Sequence, residues 1–259
     1  MSTDTQLGRP LWYELMTTDT TAAEAFYRNV IGWTSSPFGE GPTPYTLFNR
    51  NGNVPVAGLM ARPDDLQAPP FWAMYVAVPT IEEGAARVKE LGGSECSPII
   101  DVPGVGRMQM VADPQGASFY IFEPSSQNAT PEGVPEVGDV SWHELMTTDL
   151  EGAKRFYGDL FNWEPGHAMD MGEMGTYQMF NRPHGTIGGM MPKPKEMAQV
   201  PSNWQFYFRV PDLAAAIERV KANGGQILNG PMEVPGGDTI VNAMDPQGAT
   251  FSLHARKAQ

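Results

Sequence analysis

The chain has 259 residues, 41% of them hydrophobic, which excludes a protein disordered throughout and allows one large domain or two of ordinary size. Its 30 acidic residues outnumber 17 basic ones, and the net charge of −13 disfavours nucleic acid and anionic membranes as partners, because binding to phosphate groups requires clustered cations. The single cysteine, Cys96, excludes an intramolecular disulfide, and we expect a buried thiol without a catalytic role. No stretch approaches the length of an apolar membrane span, so we expect a soluble cytoplasmic protein.

Two copies of one unit follow each other along the chain. The six residues Glu14–Asp19 return unchanged as Glu144–Asp149, and Asp113–Ala117 returns as Asp245–Ala249. The first matches are offset by 130 residues and the later ones by 132, so a two-residue insertion lies between them. Further matches in the same order are Phe26-Tyr27 with Phe156-Tyr157, Trp33 with Trp163, and Tyr45 with Tyr177. An ordered series of this kind indicates a tandem duplication.

The segment between the copies is rich in Ser, Pro, Gly and Glu, which is typical of a linker. The sequence therefore predicts an N-terminal domain over residues 8–124, a linker over 125–137 and a C-terminal domain over 138–256.

In the first half of the N-terminal copy, a strand is predicted over Leu11–Met16, and Asp19 is expected to cap a helix. Apolar residues recur at helical spacing behind this cap: Ala22, Ala23, Phe26, Tyr27, Val30 and Ile31. Two short strands follow around Tyr45–Asn49 and Val56–Met60, separated by the turn-forming pair Asn51-Gly52.

The second half of the copy starts with a predicted strand over Phe71–Val78. Thr80 and Glu83 form the pattern of a capping box, so a helix is predicted to follow and to stop at Gly92-Gly93. Two more strands close the copy, namely Arg107–Ala112 and Ser118–Phe122. A turn that starts at Asp113 joins them. The C-terminal copy repeats this order, so each copy contains two βαβββ halves.

Taken in order, these motifs resemble the vicinal oxygen chelate superfamily of glyoxalase, bleomycin-resistance and extradiol-dioxygenase proteins. The likeness rests on the strand before Asp19, the Phe26-Tyr27 helix and the Asp113–Gly116 turn, all of which occur twice. More closely, the chain is similar to the tandem two-domain branch, which includes a mycobacterial secreted antigen of about this length and glyoxalase-like proteins loosely called hydroxylases. The resemblance implies an α+β fold of two tandem domains, in which paired βαβββ motifs form a U-shaped, mostly antiparallel sheet around a cavity.

The resemblance also implies a place for a metal. Superfamily members with chemistry generally hold a divalent metal in the cavity, where it acts as a Lewis acid on two neighbouring substrate oxygens. Counted from the motifs, the ligand positions correspond to Trp12, Ala73 and Tyr120 in the first copy and to Trp142, Gln205 and Ser252 in the second. Of these six, Gln205 alone has a metal-binding side chain, and a hard cation needs several oxygen or imidazole ligands. We therefore expect no metal cofactor.

Alternation along the strands indicates which side chains face each cavity. In the second copy these are Trp142, Glu144, Gln205, Tyr207, Ser252 and His254, with Arg209 nearer the rim. In the first copy they are Trp12, Glu14, Ala73, Tyr75, Tyr120 and Phe122. The aromatic members offer stacking surfaces for a ligand, and the polar members offer hydrogen bonds.

Glu14 and Glu144 each lie two positions past an implied ligand position and on the same face. A carboxylate that aromatic walls desolvate can act as a general base, which makes both residues candidate catalytic groups. Alternatively, each glutamate accepts hydrogen bonds from neighbouring strands or from Arg209. It then orients the side chains of the cavity and has no catalytic role.

His254 also lies two positions past an implied ligand position. It is a candidate acid–base partner of Glu144, or the third ligand, with Glu144 and Gln205, of a shifted site for Zn, Ni, Mn or Fe. Phe122 occupies the equivalent position of the first copy, so this site is expected in the second copy alone. We expect His143 to have a structural role, and we expect His167 and His184 to lie at the surface in irregular segments.

Three functions remain open. The preferred interpretation is a metal-independent binder of a small aromatic or planar ligand, comparable to the resistance proteins of the superfamily. The second is a glyoxalase-like lyase or isomerase, or a dioxygenase, and the third is a scaffold that has kept the fold alone. We expect a monomer, with a homodimer as the alternative, because two fused domains replace the dimer that single-domain members form.

Overall fold

The computed structural model describes residues 6–39, 43–64, 66–125, 133–197 and 199–257. The elements of the first copy are β1 (Pro10–Thr17), α1 (Thr20–Ile31), β2 (Thr34–Pro37), β3 (Tyr45–Arg50), β4 (Val54–Ala61), β5 (Phe71–Ala77), α2 (Ile81–Glu90), β6 (Ser94–Glu95), β7 (Ile100–Val102), β8 (Gly106–Ala112) and β9 (Ser118–Pro124). Those of the second copy are β10 (Val140–Thr147), α3 (Leu150–Phe161), β11 (Glu164–Asp170), β12 (Thr176–Arg182), β13 (Gly185–Pro192), β14 (Asn203–Arg209), α4 (Leu213–Ala222), β15 (Gln226–Glu233), β16 (Thr239–Met244) and β17 (Thr250–Ala255). Two short 3-10 helices lie at Gly172–Met174 and Lys195–Met197. The predicted α+β class and the repeated element order are confirmed.

Short edge strands are the elements that the sequence pattern did not locate. β2 is the clearest case, because its segment Thr34-Ser-Ser-Pro37 carries no alternating apolar residues and becomes a strand through its pairing with β3. The prediction that His167 lies in an irregular segment was wrong, since β11 contains it, although the register of β11 shifts between Pro165 and Ala168. Its predicted surface exposure is confirmed. Among the described residues, no helix combines the length and apolar character needed to cross a bilayer.

The helices begin and end where local chemistry dictates. In α1 the Asp19 carboxylate accepts a hydrogen bond from the Ala22 N–H at 3.0 Å, and in α3 the Asp149 carboxylate accepts one from Gly152 at 2.9 Å. Gly32 is the C-terminal cap of α1, and its φ of 93° is left-handed and therefore suits a residue without a Cβ atom. The predicted caps at Asp19 and Thr80 are both present.

Two compact units divide the chain, and each combines halves of both copies. Unit 1 comprises Met1–Leu11, Met74–Gly133 and His143–Trp204, and unit 2 comprises Trp12–Ala73, Val134–Trp142 and Gln205–Gln259. Each unit thus pairs a first half from one copy with a second half from the other. These compact units differ from the two sequence repeats. The domain boundaries predicted from the repeats, 8–124 and 138–256, remain a prediction.

Each unit contains two runs of paired strands. In unit 2 the strand orders are β2-β3-β4-β1 and β14-β17-β16-β15, and in unit 1 they are β11-β12-β13-β10 and β5-β9-β8-β6. The parallel pairs are β1 with β4, β5 with β9, β10 with β13, and β14 with β17. The other pairings within these runs are antiparallel, as the resemblance implied.

A buried hydrogen-bonded cluster links the two copies in unit 2. The Tyr27 hydroxyl of α1 donates to the Asp245 Oδ2 atom at 3.0 Å and accepts from the Trp72 indole N–H at 2.9 Å. The other carboxylate oxygen of Asp245 accepts from the backbone N–H groups of Gln247 and Ala249. A helix of the first copy is therefore tied to the Asp-Pro-Gln-Gly turn of the second.

Unit 1 contains the mirror arrangement. Tyr157 of α3 donates to Asp113 Oδ2 at 3.0 Å and accepts from the Trp204 indole at 3.0 Å. Burial raises the pKa of both Asp113 and Asp245, against the opposing effect of the backbone N–H groups that bond their carboxylates. Burial also raises the pKa of Tyr157 well above its ordinary value, so this hydroxyl keeps its proton.

Removing one tyrosine hydroxyl should destabilise the protein. The variant Tyr27→Phe removes the hydrogen-bond acceptor of the buried Trp72 N–H and the hydrogen-bond donor to the Oδ2 atom of Asp245, so we expect a loss of about 1–3 kcal/mol in the free energy of unfolding. Urea denaturation measures this loss. The control Lys221→Ala removes an ion pair to Glu218 that is exposed, and it should change the stability by about 0.5 kcal/mol or less. Equal effects in the two variants would show that the cluster contributes nothing.

The two aspartates should also make stability depend on pH. Their pKa values in the folded chain are raised above the ordinary 3.8, so the stability they contribute is full below that pH and falls as the pH rises through the raised values. The double variant Asp113→Asn/Asp245→Asn cannot ionise at these positions. The unfolding free energy of the natural chain minus that of the variant should therefore decrease as the pH rises. A difference that stays constant across the series would contradict the raised pKa values.

Candidate ligand-binding site

The first half of the first copy holds Glu14 in a hydrogen-bonded chain. The Tyr45 hydroxyl of β3 donates to Glu14 Oε2 at 2.7 Å, and the Trp12 indole donates to the Tyr45 oxygen at 3.0 Å. Glu14 is buried, and Trp12 is half-buried. All three side chains lie in unit 2 and share one face, as the alternation of β1 predicted for Trp12 and Glu14.

The first half of the second copy repeats the central contact in unit 1. The Tyr177 hydroxyl of β12 donates to Glu144 Oε2 at 3.0 Å. The interpretation that each glutamate accepts a hydrogen bond from a neighbouring strand therefore has a specific donor, Tyr45 in one copy and Tyr177 in the other. Sequence reasoning missed both tyrosines as site residues, although their match across the copies was a usable signal.

Glycine makes room for each tyrosine ring. Gly58 of β4 is the register partner of Glu14, and a Cβ atom built on it would lie 1.8 Å from the Tyr45 hydroxyl oxygen. Gly189 of β13 is the partner of Glu144, and its Cβ would lie 2.1 Å from a ring carbon of Tyr177. The ring can therefore cross the backbone and reach the carboxylate only where the side chain is hydrogen.

The second half of the first copy is aromatic. In unit 1 the rings of Tyr75 and Tyr120 stack with centroids 4.3 Å apart and an angle of 2° between their planes. Phe122 meets Tyr75 edge to face at 6.1 Å. Met108 and Met110 of β8 are the register partners of Phe122 and Tyr120. The three aromatic side chains are buried.

The second half of the second copy is polar at the equivalent positions. In unit 2 the Ser252 hydroxyl accepts from the Gln205 amide at 3.0 Å and from the Asn242 amide at 2.8 Å. Asn242 also donates to the Tyr207 hydroxyl at 3.4 Å. Gln205, Tyr207 and Ser252 are thus brought together as predicted from alternation, whereas Asn242 was missed because a lone asparagine in a strand carries no signal of its partners.

His254 lies in a second polar chain of unit 2. Its Nδ1 atom is 2.7 Å from the Ser141 hydroxyl oxygen, and its Nε2 atom is 2.9 Å from Asp238 Oδ2. The nearby Arg209 is the register partner of His254, donates to the carbonyl oxygen of Pro135, and has its pKa lowered by burial. Neither Ser141 nor Asp238 was a sequence-based candidate.

The remaining expectations divide. His143 is structural as predicted: its Nδ1 atom lies 2.7 Å from the Ile187 carbonyl oxygen, and burial lowers its pKa to about 4. His184 is exposed as predicted. The expectation of a buried thiol was wrong, since Cys96 is exposed next to the edge strand β6.

Comparison with known proteins places this architecture in a family. The Glyoxalase/Bleomycin resistance protein/Dioxygenase superfamily model matches residues 9–121 and again residues 139–253. The chain belongs to this superfamily. The resemblance proposed from the Phe-Tyr helix and the Asp-Pro-Gln-Gly turn is thereby confirmed, including its tandem occurrence.

Two relatives in the superfamily match almost the whole chain. "Putative glyoxylase CFP32" of Mycobacterium tuberculosis (strain CDC 1551 / Oshkosh) is 31% identical over 250 residues, covering 95% of this chain and 94% of the relative. "Anthracycline biosynthesis protein DauV" of Streptomyces sp. (strain C5) is 30% identical over 272 residues, covering 95% and 92%.

Solved structures of the superfamily share the fold at low identity. The Mn(II)-bound glyoxalase from Novosphingobium aromaticivorans superposes with a TM-score of 0.65 at 18% identity, covering 96% of this chain and 82% of that one. The 2,3-dioxygenase LapB from Pseudomonas sp. KL28 gives 0.63 at 14%, covering 98% and 94%.

The superfamily's metal can be tested against the side chains present. The six implied ligand positions hold Trp12, Ala73, Tyr120, Trp142, Gln205 and Ser252, and the Gln205 amide is bonded to Ser252. Across the part of the chain that the structure describes, no three His, Cys, Asp or Glu side chains are grouped so that they could hold a metal ion. These donors do not fit a divalent metal, which needs three or more oxygen, nitrogen or thiolate ligands.

The glycine under the tyrosine gives a direct test of the Glu14 chain. Gly58→Ala should push the Tyr45 ring away from Glu14 and lower the free energy of unfolding by about 1–3 kcal/mol. In a Tyr45→Ala background the same substitution should cost almost nothing, because the ring it collides with is gone. Urea denaturation of the natural chain, the two single variants and the double variant measures the cost of Gly58→Ala with and without the Tyr45 ring.

The matched control for this cycle is Gly133→Ala, because a Cβ built on Gly133 meets no atom within 4 Å. Its stability should equal that of the natural chain. A Gly58→Ala cost that persists without the Tyr45 ring would contradict the assigned contact.

Proposed function

We propose that the chain binds a small planar aromatic ligand through the aromatic side chains of its first copy, without a metal ion at the superfamily's ligand positions. The observation that carries this proposal is the parallel stack of Tyr75 and Tyr120 in unit 1. Tyr120 stands where the resemblance places a metal-binding carboxylate. A ring in that position offers a face for stacking, which a planar ligand can extend.

The surroundings of the stack support a site that adapts to an apolar ligand. Phe122 closes one edge of Tyr75, and the Met108 and Met110 thioether chains start from the strand positions directly opposite Phe122 and Tyr120. Flexible thioethers can shift to admit a ligand at little cost and contact aromatic rings favourably. The burial of these side chains also gives a bound ring the apolar surface that supplies affinity.

The names of the relatives point in two directions. DauV is described as an anthracycline biosynthesis protein, and anthracyclines are planar fused-ring aromatics. CFP32 is described as a glyoxylase, which would call for chemistry on a small substrate. The enzymatic alternative, with Glu144, His254 and Gln205 as acid–base groups or as a shifted metal site, has less support, because the ring nitrogens of His254 bond Ser141 and Asp238 rather than Glu144 or Gln205.

Ligand binding should raise the melting temperature. With 1,4-dihydroxyanthraquinone as the probe, at about a hundred times its dissociation constant, we expect a stabilisation of about 2.7 kcal/mol. A thermal-shift assay measures it, and quenching of intrinsic fluorescence confirms that the probe is bound. The variant Tyr75→Leu should abolish both signals because it removes one face of the stack, whereas Phe38→Leu, at an exposed phenylalanine, should keep them.

Two results would overturn the proposal. Tyr207 occupies the same strand position in the second copy as Tyr75 in the first. If Tyr207→Leu abolished binding while Tyr75→Leu did not, the ligand would bind to the second copy and not to the first. If dialysis against EDTA removed the shift and Zn, Ni, Mn or Fe restored it, the binding would depend on a metal.

A further inference from the structure

Ser141, His254 and Asp238 form a continuous hydrogen-bonded chain in unit 2. The Ser141 oxygen lies 2.7 Å from Nδ1 of the imidazole, and the Asp238 carboxylate lies 2.9 Å from Nε2 on the opposite side of the ring. A hydroxyl, an imidazole and a carboxylate in this order are the components that activate a serine nucleophile. The chain therefore has the composition of such a site, with the two ring nitrogens in exchanged roles relative to the serine proteases.

The contacts fix where the protons lie. Asp238 is ionised at neutral pH, because hydrogen bonds from the Lys257 backbone N–H and from His254 lower its pKa despite partial burial. A carboxylate accepts hydrogen bonds and does not donate, so Nε2 of His254 carries a proton, and in the neutral ring Nδ1 is the unprotonated nitrogen. In this tautomer Nδ1 therefore accepts a hydrogen bond from the Ser141 hydroxyl. The competing acceptor, the Tyr207 carbonyl oxygen, is farther away at 3.1 Å.

This cluster is accessible from solvent. The side chains of His254 and Asp238 are 15% and 33% exposed, and Ser141 is half-buried at the start of β10. The cation of Arg209, which follows Phe208 at the end of β14, is in register with His254 and interacts electrostatically with Asp238.

The first copy lacks all three groups. Counting back by the repeat offsets, Leu11 replaces Ser141, Gly106 replaces Asp238 and Phe122 replaces His254. The fold common to both copies therefore forms without this chain of hydrogen bonds, and the second copy has three polar groups in contact where the fold does not demand them. This contrast favours a chemical role over a structural one.

We propose that Ser141, His254 and Asp238 form a second site, which hydrolyses small carboxylic esters. The Ser141 oxygen attacks the ester carbonyl carbon, while Nδ1 of His254 takes the hydroxyl proton. Collapse of the intermediate breaks the carbon–oxygen bond of the ester, and the leaving alkoxide takes the proton from His254. Water then attacks the acyl-serine with His254 again as the base, which releases the carboxylic acid and restores the serine. Asp238 acts as a positioning residue that holds the imidazole tautomer.

The experiment uses p-nitrophenyl acetate and a fluorophosphonate probe on the intact chain. We expect a burst of about one p-nitrophenolate per chain, followed by slow turnover, because acylation precedes hydrolysis of the acyl-serine. Peptide mapping should find the fluorophosphonate on Ser141. Asp238→Asn should lower the acylation rate by about 100-fold or more and change its dependence on pH, because the amide can donate to the ring and favour the wrong tautomer.

Ser141→Ala should reduce hydrolysis to the buffer rate and abolish labelling, whereas Ser125→Ala, at a serine bonded to the Gly104 carbonyl, should do neither. Labelling of the natural chain at any other residue, or no labelling at all, overturns the proposal and does not depend on any variant folding. Hydrolysis that Ser141→Ala retains also overturns it. Because the aromatic-ligand proposal concerns different side chains, none of these outcomes changes the thermal-shift result expected there.

Discussion

The architecture depends on the buried hydrogen bond between a helix tyrosine and the aspartate of the Asp-Pro-Gln-Gly turn. Tyr27 meets Asp245, and Tyr157 meets Asp113, so each bond joins the two copies. A carboxylate in such surroundings is costly unless its oxygens have partners, and here one oxygen has the tyrosine while the other has two backbone N–H groups. The helix motif and the turn motif must therefore both occur twice, because each copy supplies what the other one needs.

Because these bonds hold both units in the same way, the side chains on the strands can differ between the two copies. The first halves of the two copies share one structural feature, a tyrosine ring that packs over a glycine and donates a hydrogen bond to a glutamate. The second halves differ: the first copy stacks Tyr75 on Tyr120, whereas the second bonds Gln205 to Ser252. A duplicated protein can keep one half of each copy constant and change the other half. The two proposed activities belong to different copies, with aromatic binding in the first copy and ester hydrolysis in the second.

The sequence predicted which side chains of a strand point to the same side of the sheet, but it did not predict their hydrogen-bond partners on other strands. Alternation correctly put Gln205 and Tyr207 on one face of β14, and Ser252 and His254 on one face of β17, because side chains two apart on a strand share a face whatever the neighbouring strand is. It could not find Tyr45, Asn242 or Asp238, since these residues reach the site across a strand pair or a loop. Their positions depend on register and on strand order, which local periodicity does not encode.

By itself the amino-acid sequence determined the duplication, the positions of the main strands and helices, the helix caps and the superfamily, because each follows from local spacing or from side-chain chemistry close along the chain. Only the tertiary structure decided that each compact unit takes one half from each copy. Identical motifs in the two copies provide identical local signals, so the sequence cannot say whether Tyr27 bonds Asp113 or Asp245. That choice depends on how the chain brings distant apolar surfaces together, and packing resolves it in favour of the other copy.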